Sequence, residues 1–293
     1  MAQYPFETVD VFTTVRFGGN PLAVVTDGRG LDAAAMQRIA REFNLSETTF
    51  VLPPADPAHT AHVRIFTPMH ELPFAGHPNV GTALVLAWAR GDRPSGMVFE
   101  EAAGLVRIAF EWSGAAPRAT LDAPQPLAIG ETIPPEVIAD CTGLVVGDVL
   151  TMLHEPVVAG VGTLFVIAEV TPEALARATP DVAAMRAASR RFPVRPLGFP
   201  VHLHARTGAG RRTRMFAPLS GVVEDPATGA ANVALAALLL SLSDEAELSI
   251  ELEQGFEMGR PSLLHAGARR APDGVRAWIG GSAVPVSRGV IEA

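Results

Sequence analysis

Two stretches of the chain place polar side chains where a helix ought to begin. One reads His77-Pro-Asn-Val-Gly81-Thr-Ala83 and the other Asp225-Pro-Ala-Thr-Gly229-Ala-Ala231. The shared pattern is polar–Pro–x–x–Gly–x–Ala, and a nearly unbroken apolar run follows each. Proline is favoured in the first turn of a helix and drives the residue before it into extended backbone. The pattern therefore predicts helices over 78–90 and 226–241, with His77 and Asp225 at their N-caps. First-turn N–H groups have no intrahelical partner, and the helix dipole is positive there. Two such ends opening into one cleft would hold an anion. Aspartate is a good cap in its own right, whereas histidine is a poor one, so His77 leans further toward chemistry. Gly81 and Gly229 would let another group approach the helix backbone closely.

A carboxylate could complete the set. Glu47 lies in Asn44-Leu-Ser-Glu-Thr-Thr-Phe50, a polar break between a helical pattern and an apolar strand. Periodicity gives it no preference over Glu42 or Glu71, and a solvated loop is the ordinary fate of a glutamate. His202 and His204 stand two apart in an expected strand and so share a face. They could be two metal ligands, but no third ligand motif accompanies them, which favours a structural or surface role. The Thr207-Gly-Ala-Gly-Arg-Arg stretch reads as a turn with exposed arginines, without the helix and acidic residue of a dinucleotide fingerprint. No nucleophile elbow supports a serine triad.

Composition removes whole classes of chemistry. The 293 residues contain no lysine; all 23 basic residues are arginine. This excludes an internal-aldimine pyridoxal-phosphate enzyme and a Walker A loop. The single cysteine, Cys141, excludes an intrachain disulfide, a two-thiol acid/base pair and a multi-cysteine metal site. It reads as a small buried apolar residue. A net charge of −8 disfavours non-specific nucleic-acid binding, which needs a basic surface. Hydrophobic residues make up 48%, so the chain should fold. No signal peptide is evident at the N-terminus, and the apolar run 230–242 is too short to span a bilayer. The expectation is a soluble, cytoplasmic protein with no membrane and no nucleic-acid partner.

The elements that must position these residues alternate between two periods. Strands are expected at 6–12, 22–25, 49–52 and 62–66, with a helix at 31–43. The segment 78–89 is apolar all round after its first turn, the mark of a helix buried on every side. Strands follow at 97–101, 105–112 and 119–121. Residues 123–135 carry four prolines and form a candidate linker. The second half repeats the plan, with short helices near 135–141, 172–178 and 181–190. Strands are expected within 149–170 and at 201–205, 213–216, 248–252, 262–265 and 275–279. The repeated helix start suggests an internal duplication. The fold expected is α/β (α+β), with pseudo-symmetric halves at 1–125 and 126–293, each a curved, mostly antiparallel sheet around a buried central helix. The last strand would return to the first half.

Several segments together resemble the PhzF family of phenazine-biosynthesis-like isomerases. They are Phe43-Asn-Leu-Ser-Glu-Thr-Thr-Phe-Val51, Arg64-Ile-Phe-Thr-Pro68 and Glu71-Leu-Pro-Phe-Ala-Gly-His-Pro78 in the first half. In the second they are Arg214-Met-Phe-Ala-Pro218, Glu224-Asp-Pro-Ala-Thr-Gly229 and Gln254-Gly-Phe-Glu-Met-Gly-Arg-Pro-Ser262. The resemblance covers almost the whole chain. It implies a diaminopimelate-epimerase-like fold with the active site between two halves, a homodimer, and neither metal nor organic cofactor. It implies isomerisation of trans-2,3-dihydro-3-hydroxyanthranilate or a related small carboxylate. By the same resemblance the catalytic residues are Glu47, His77 and Asp225. Gly76, Asn79, Gly229, Ala230 and Ser46 fall at substrate-binding positions. One position departs: the family's Thr-Gly-Ser is Thr228-Gly229-Ala230 here, so a hydroxyl that could hold substrate is missing.

The expected activity is a cofactor-independent proton transfer, with Glu47 as general base and then general acid. Such work near neutral pH calls for a carboxyl kept in an apolar site. His77 and Asp225 would orient polar groups, and the helix ends would hold developing negative charge. Two alternatives stand beside it. One is a metabolite-binding protein without turnover, which the loss of serine at position 230 favours. The other is an epimerase of an amino-acid-like substrate that replaces thiols by Glu47 with His77 or Asp225.

Overall fold

The structure is a computed structural model that describes residues 2–114, 116–208 and 210–293. The chain divides into two compact units. One comprises Met1–Asp122 with Gly280–Ala293, and the other Ala123–Ile279.

The first unit begins with strands β1 (Gln3–Val11) and β2 (Asn20–Val25), helix α1 (Ala33–Phe43), and strands β3 (Glu47–Leu52), β4 (Ala61–Phe66) and β5 (Glu71–Leu72). Helix α2 (Gly76–Arg90) follows, then β6 (Gly96–Glu101), β7 (Gly104–Glu111) and β8 (Arg118–Asp122). Asp32 caps α1 by accepting the Ala35 N–H, and Asn44 ends it in the left-handed conformation. Met36, Ile39 and Ala40 form its buried stripe, which packs against Tyr4, Val25, Phe50 and Phe66 of the sheet. Helix α2 is different, because every residue from Gly76 to Ala87 is buried.

The second unit holds β9 (Ala128–Thr132), α3 (Pro135–Thr142), β10 (Val149–Leu150), β11 (Val157–Gly160), β12 (Leu164–Val170), α4 (Pro172–Arg177) and α5 (Val182–Arg191). It continues with β13 (Val201–Thr207), β14 (Gly210–Ala217), β15 (Val222–Asp225), α6 (Gly229–Ser241), β16 (Glu247–Gln254) and β17 (Ser262–Ala271). Strand β18 (Gly274–Gly281) ends it, and the final strand, β19 (Ala283–Glu292), pairs with β1 of the first unit. The proline-rich segment expected to be a linker contains β9, which pairs with β11. The turn with exposed arginines expected at 207–212 is shorter: β14 begins at Gly210 opposite Thr207, and Arg211 is buried in it against Glu169, while Arg212 is half-buried; Ala209 lies outside the described residues.

The two units share one connectivity. In the first, β2 lies parallel to β3, β3 antiparallel to β4, and β4 parallel to β6 beyond α2. In the second, β12 lies parallel to β13, β13 antiparallel to β14, and β14 parallel to β16 beyond α6. The other pairings described within each unit are antiparallel, so each is a mostly antiparallel sheet with a buried helix, as the duplicated helix starts predict. The same fork also closes each loop before that helix. Arg64 donates through Nε and an NH2 group to Glu71, both at 2.7 Å, and Arg214 does so to Glu224 at 2.7 and 2.9 Å.

The register of this repeat differs from the expected one. His77 is the second residue of α2, behind an N-cap at Ala75; Asp225 ends β15, and α6 begins only at Gly229 behind Thr228. The repeat that matches the structure is Glu71-x-Pro-x-x-Gly76-x-x-Asn79-Val80 against Glu224-x-Pro-x-x-Gly229-x-x-Asn232-Val233. His77 therefore corresponds to Ala230, not to Asp225. The reason is competition for carbonyls. A helix starting at Pro226 needs the carbonyls of Asp225 and Pro226 as acceptors. Gln254 Nε2 donates to the first at 2.7 Å and Ser262 Oγ to the second at 3.0 Å.

Candidate active site

Glu47 opens β3, and its alternation with Thr49 turns both toward α2. Thr49 Oγ1 lies 2.8 Å from Thr82 Oγ1 of that helix. Glu47 Oε2 lies 3.3 Å from His77 Nε2. Periodicity alone puts Glu42 and Glu71 level with Glu47; Glu42 is exposed on α1, and Glu71 is committed to Arg64. Ser46 immediately precedes β3, partly buried.

His77 is only 5% exposed, and burial pushes its imidazole down to about 3. It is a neutral ring at physiological pH, so its approach to Glu47 is not an ion pair. A neutral imidazole offers one donor and one acceptor, which suits it to relay or orient a proton. It stands in the first turn of α2, where Pro78 lacks an N–H that would have no helical partner in any case.

Asp225 is held from several sides. Thr228 Oγ1 donates to its Oδ2 at 2.5 Å. Gln254 fastens the same turn: its Oε1 accepts from Thr228 N–H at 3.1 Å and from Asn232 Nδ2 at 2.6 Å. Thr228 and Gln254 were not among the residues expected at the site. Gln254 carried a signal, as the polar end of a strand face that otherwise buries Leu252.

The remaining expectations divide. Gly76 and Gly229 are the first residues of their helices, and Ala230 follows Gly229. Asn79 is fully buried and donates through Nδ2 to the Ala75 carbonyl at 3.0 Å. What approaches Gly81 is the sheet: a Cβ there would sit 2.6 Å from Leu22 and 2.7 Å from Val11. His202 and His204 are fully buried rather than at the surface. His204 Nδ1 accepts from Arg211 at 2.8 Å, and its Nε2 lies 3.0 Å from His154 Nε2. Among the described residues no group of three or more His, Cys, Asp or Glu is placed to hold a metal. Cys141 is buried and free. No helix among the described residues is long and apolar enough to cross a membrane.

The phenazine biosynthesis-like protein family, PhzC-PhzF, matches residues 9–289. The chain is 39% identical over 296 residues to an uncharacterised isomerase of Mesorhizobium japonicum, covering 96% of each. It is 36% identical over 289 residues to the trans-2,3-dihydro-3-hydroxyanthranilate isomerase of Pseudomonas chlororaphis, covering 97% of each. The crystal structure of a PhzF-family phenazine biosynthesis protein from Bacillus anthracis superposes with a TM-score of 0.88 at 23% identity, over the whole of both chains. The fold is the diaminopimelate-epimerase-like one. The chain belongs to the phenazine biosynthesis-like family, a family of isomerases.

Proposed function

We propose that the protein is a cofactor-independent isomerase that moves a proton within a small carboxylate. The first candidate substrate is trans-2,3-dihydro-3-hydroxyanthranilate, the compound in its relatives' names. The observation that carries the reading is the approach of Glu47 to a buried neutral His77 at a helix N-terminus. Glu47 removes a proton from one carbon and returns it at another, so the reaction needs no external oxidant or reductant. General acid–base groups of this kind contribute about 10²–10⁴-fold.

His77 and Asp225, the latter steadied by Thr228 and Gln254, orient the substrate's polar groups and assist the relay. The first-turn N–H groups of α2 and α6, at Gly76, Gly229 and Ala230, receive the carboxylate or the charge that develops on it. Ser46 flanks the base, and Asn79 shapes the helix start beneath it. A homodimer and a cytoplasmic location belong to the same reading; sedimentation at twice the 30.8 kDa chain mass would support the dimer.

The test is conversion of trans-2,3-dihydro-3-hydroxyanthranilate in D₂O, followed by proton NMR, with Glu47→Gln in parallel. Conversion that depends on the protein and is lost in the variant supports both substrate and base. No conversion by the native protein moves the substrate elsewhere. Ala230 in place of the family serine favours one second reading, a metabolite binder. Tight calorimetric binding of an anthranilate-like acid without turnover would select it.

A further inference from the structure

Buried polar side chains of α2 meet partners on the sheet: His77 meets Glu47, and Thr82 meets Thr49. Asn79 is a third such residue. Its Nδ2 is used by the Ala75 carbonyl, but its Oδ1 is buried with no donor. The side chain it meets is Glu101, at the end of β6. Met97 and Phe99 on the same strand face are core residues, so Glu101 stands where the alternation calls for an apolar side chain. It is 9% exposed, and neither carboxyl oxygen has a hydrogen bond of ordinary geometry.

The second half shows how this position is satisfied there. Asn232 is the fourth residue of α6 as Asn79 is of α2, and its Nδ2 likewise reaches back 3.0 Å to the N-cap carbonyl, that of Thr228. Its Oδ1 accepts from Thr213 Oγ1 at 3.1 Å, and Gln254 lies against its Nδ2 at 2.6 Å. The strand registers coincide. Ala61 and His62 face Phe99 and Glu100, as Arg211 and Arg212 face Leu252 and Glu253. One step further, Glu101 occupies the place of Gln254, and Val63 the place of Thr213. Valine has no hydroxyl to give, so Asn79 Oδ1 lacks the donor that Thr213 supplies to Asn232 Oδ1, and Glu101 is the buried polar side chain that interacts with it.

We propose that Glu101 works as an un-ionised carboxylic acid whose O–H donates to Asn79, and that the pair fixes the first turn of α2 and so the imidazole of His77. It is a positioning residue, and its bearing on turnover rests on the proposed role of Glu47 and His77. Charge around it does not oppose this. Arg64 on β4, Arg107 on β7 and Glu100 on β6 alternate to the outer face, with Arg64 held by Glu71 and Glu100 by His59 and the Ala55 and Asp56 N–H groups. His77 on α2 is neutral. Burial raises the Glu101 carboxyl to about 8, with the Asn79 amide opposing the rise.

The test is a ¹³C-carboxyl NMR titration of glutamate-labelled protein, with the Glu101 resonance assigned by its absence in Glu101→Gln. A midpoint near 8 is expected; one near the ordinary 4.5 overturns the proposal. This readout needs no substrate, so it stands even if the proposed reaction fails. On a confirmed substrate, native turnover should fall tenfold per pH unit above about 8. Glu101→Gln, neutral at every pH like Gln254, should lose that alkaline limb, whereas Glu101→Leu should lose turnover at pH 7. Persistence of the limb in Glu101→Gln also overturns the proposal.

Discussion

His77 stands 3.3 Å from Glu47 as a neutral imidazole rather than as its counter-ion. Helix α2 enforces this by burying the ring in its first turn, where protonation would place a charge away from water. Glu47→Gln should lower kcat by about 10²–10⁴-fold, because the amide cannot accept the proton. Steady-state kinetics on a confirmed substrate measures this, and a kcat within threefold of native would remove Glu47 from the mechanism.

The same burial has a consequence for stability. His77 sits near 3 in the folded chain against 6.5 in the unfolded one, so the unfolded state takes up a proton that the folded state refuses. Its contribution is fully present above 6.5 and is lost as pH falls toward 3. His202, also near 3, acts in the same sense, while Glu101, raised to about 8, acts in the opposite one. His77→Gln should flatten the rise of unfolding free energy between pH 4 and 6 by about 1.4 kcal/mol per pH unit. Urea unfolding across that range checks it; an unchanged slope would mean that His77 titrates normally.

Gly81 packs α2 against the sheet, with no room between its Cα and the side chains of Leu22, Val11 and Val9. Gly81→Ala gains up to about 1 kcal/mol in helix propensity. Against that, the new methyl group must displace β-branched valines fixed in a strand, an overpacking cost of about 1–3 kcal/mol. The expected net result is a lower urea midpoint with an unchanged m-value. A stabilised variant would show that the sheet yields.

Cys141 is 1% exposed, and burial, then Asp140 and Asp181, push its thiol up to about 12. Thiolate is the reactive form, so the native thiol should be silent toward a disulfide reagent at pH 8 and should react stoichiometrically after unfolding. Absorbance of the released thiolate gives the answer directly. Rapid labelling of folded protein would contradict the burial.

The residues themselves determined much of this protein. Two apolar runs with proline-marked starts required two buried helices, because a helix apolar all round must be covered on every side, and their shared start implied a duplication. The missing lysine and the single cysteine closed off Schiff-base and two-thiol chemistry in any fold. Glu47, His77 and Asp225 were singled out only through the family segments, because periodicity alone did not separate Glu47 from Glu42 or Glu71. Tertiary structure decided where the second helix starts: proline preference is local, but Gln254 and Ser262 arrive from distant strands and take the carbonyls a helix at Pro226 would need. It also decided that His77 is neutral, since charge state depends on what surrounds a ring and not on its neighbours in sequence. The meeting of Glu101 with Asn79 is of the same kind. Each breaks the apolar pattern of its own element, but only the fold brings the two breaks together, and only the strand register shows that a neutral glutamine fills the matching place in the other half.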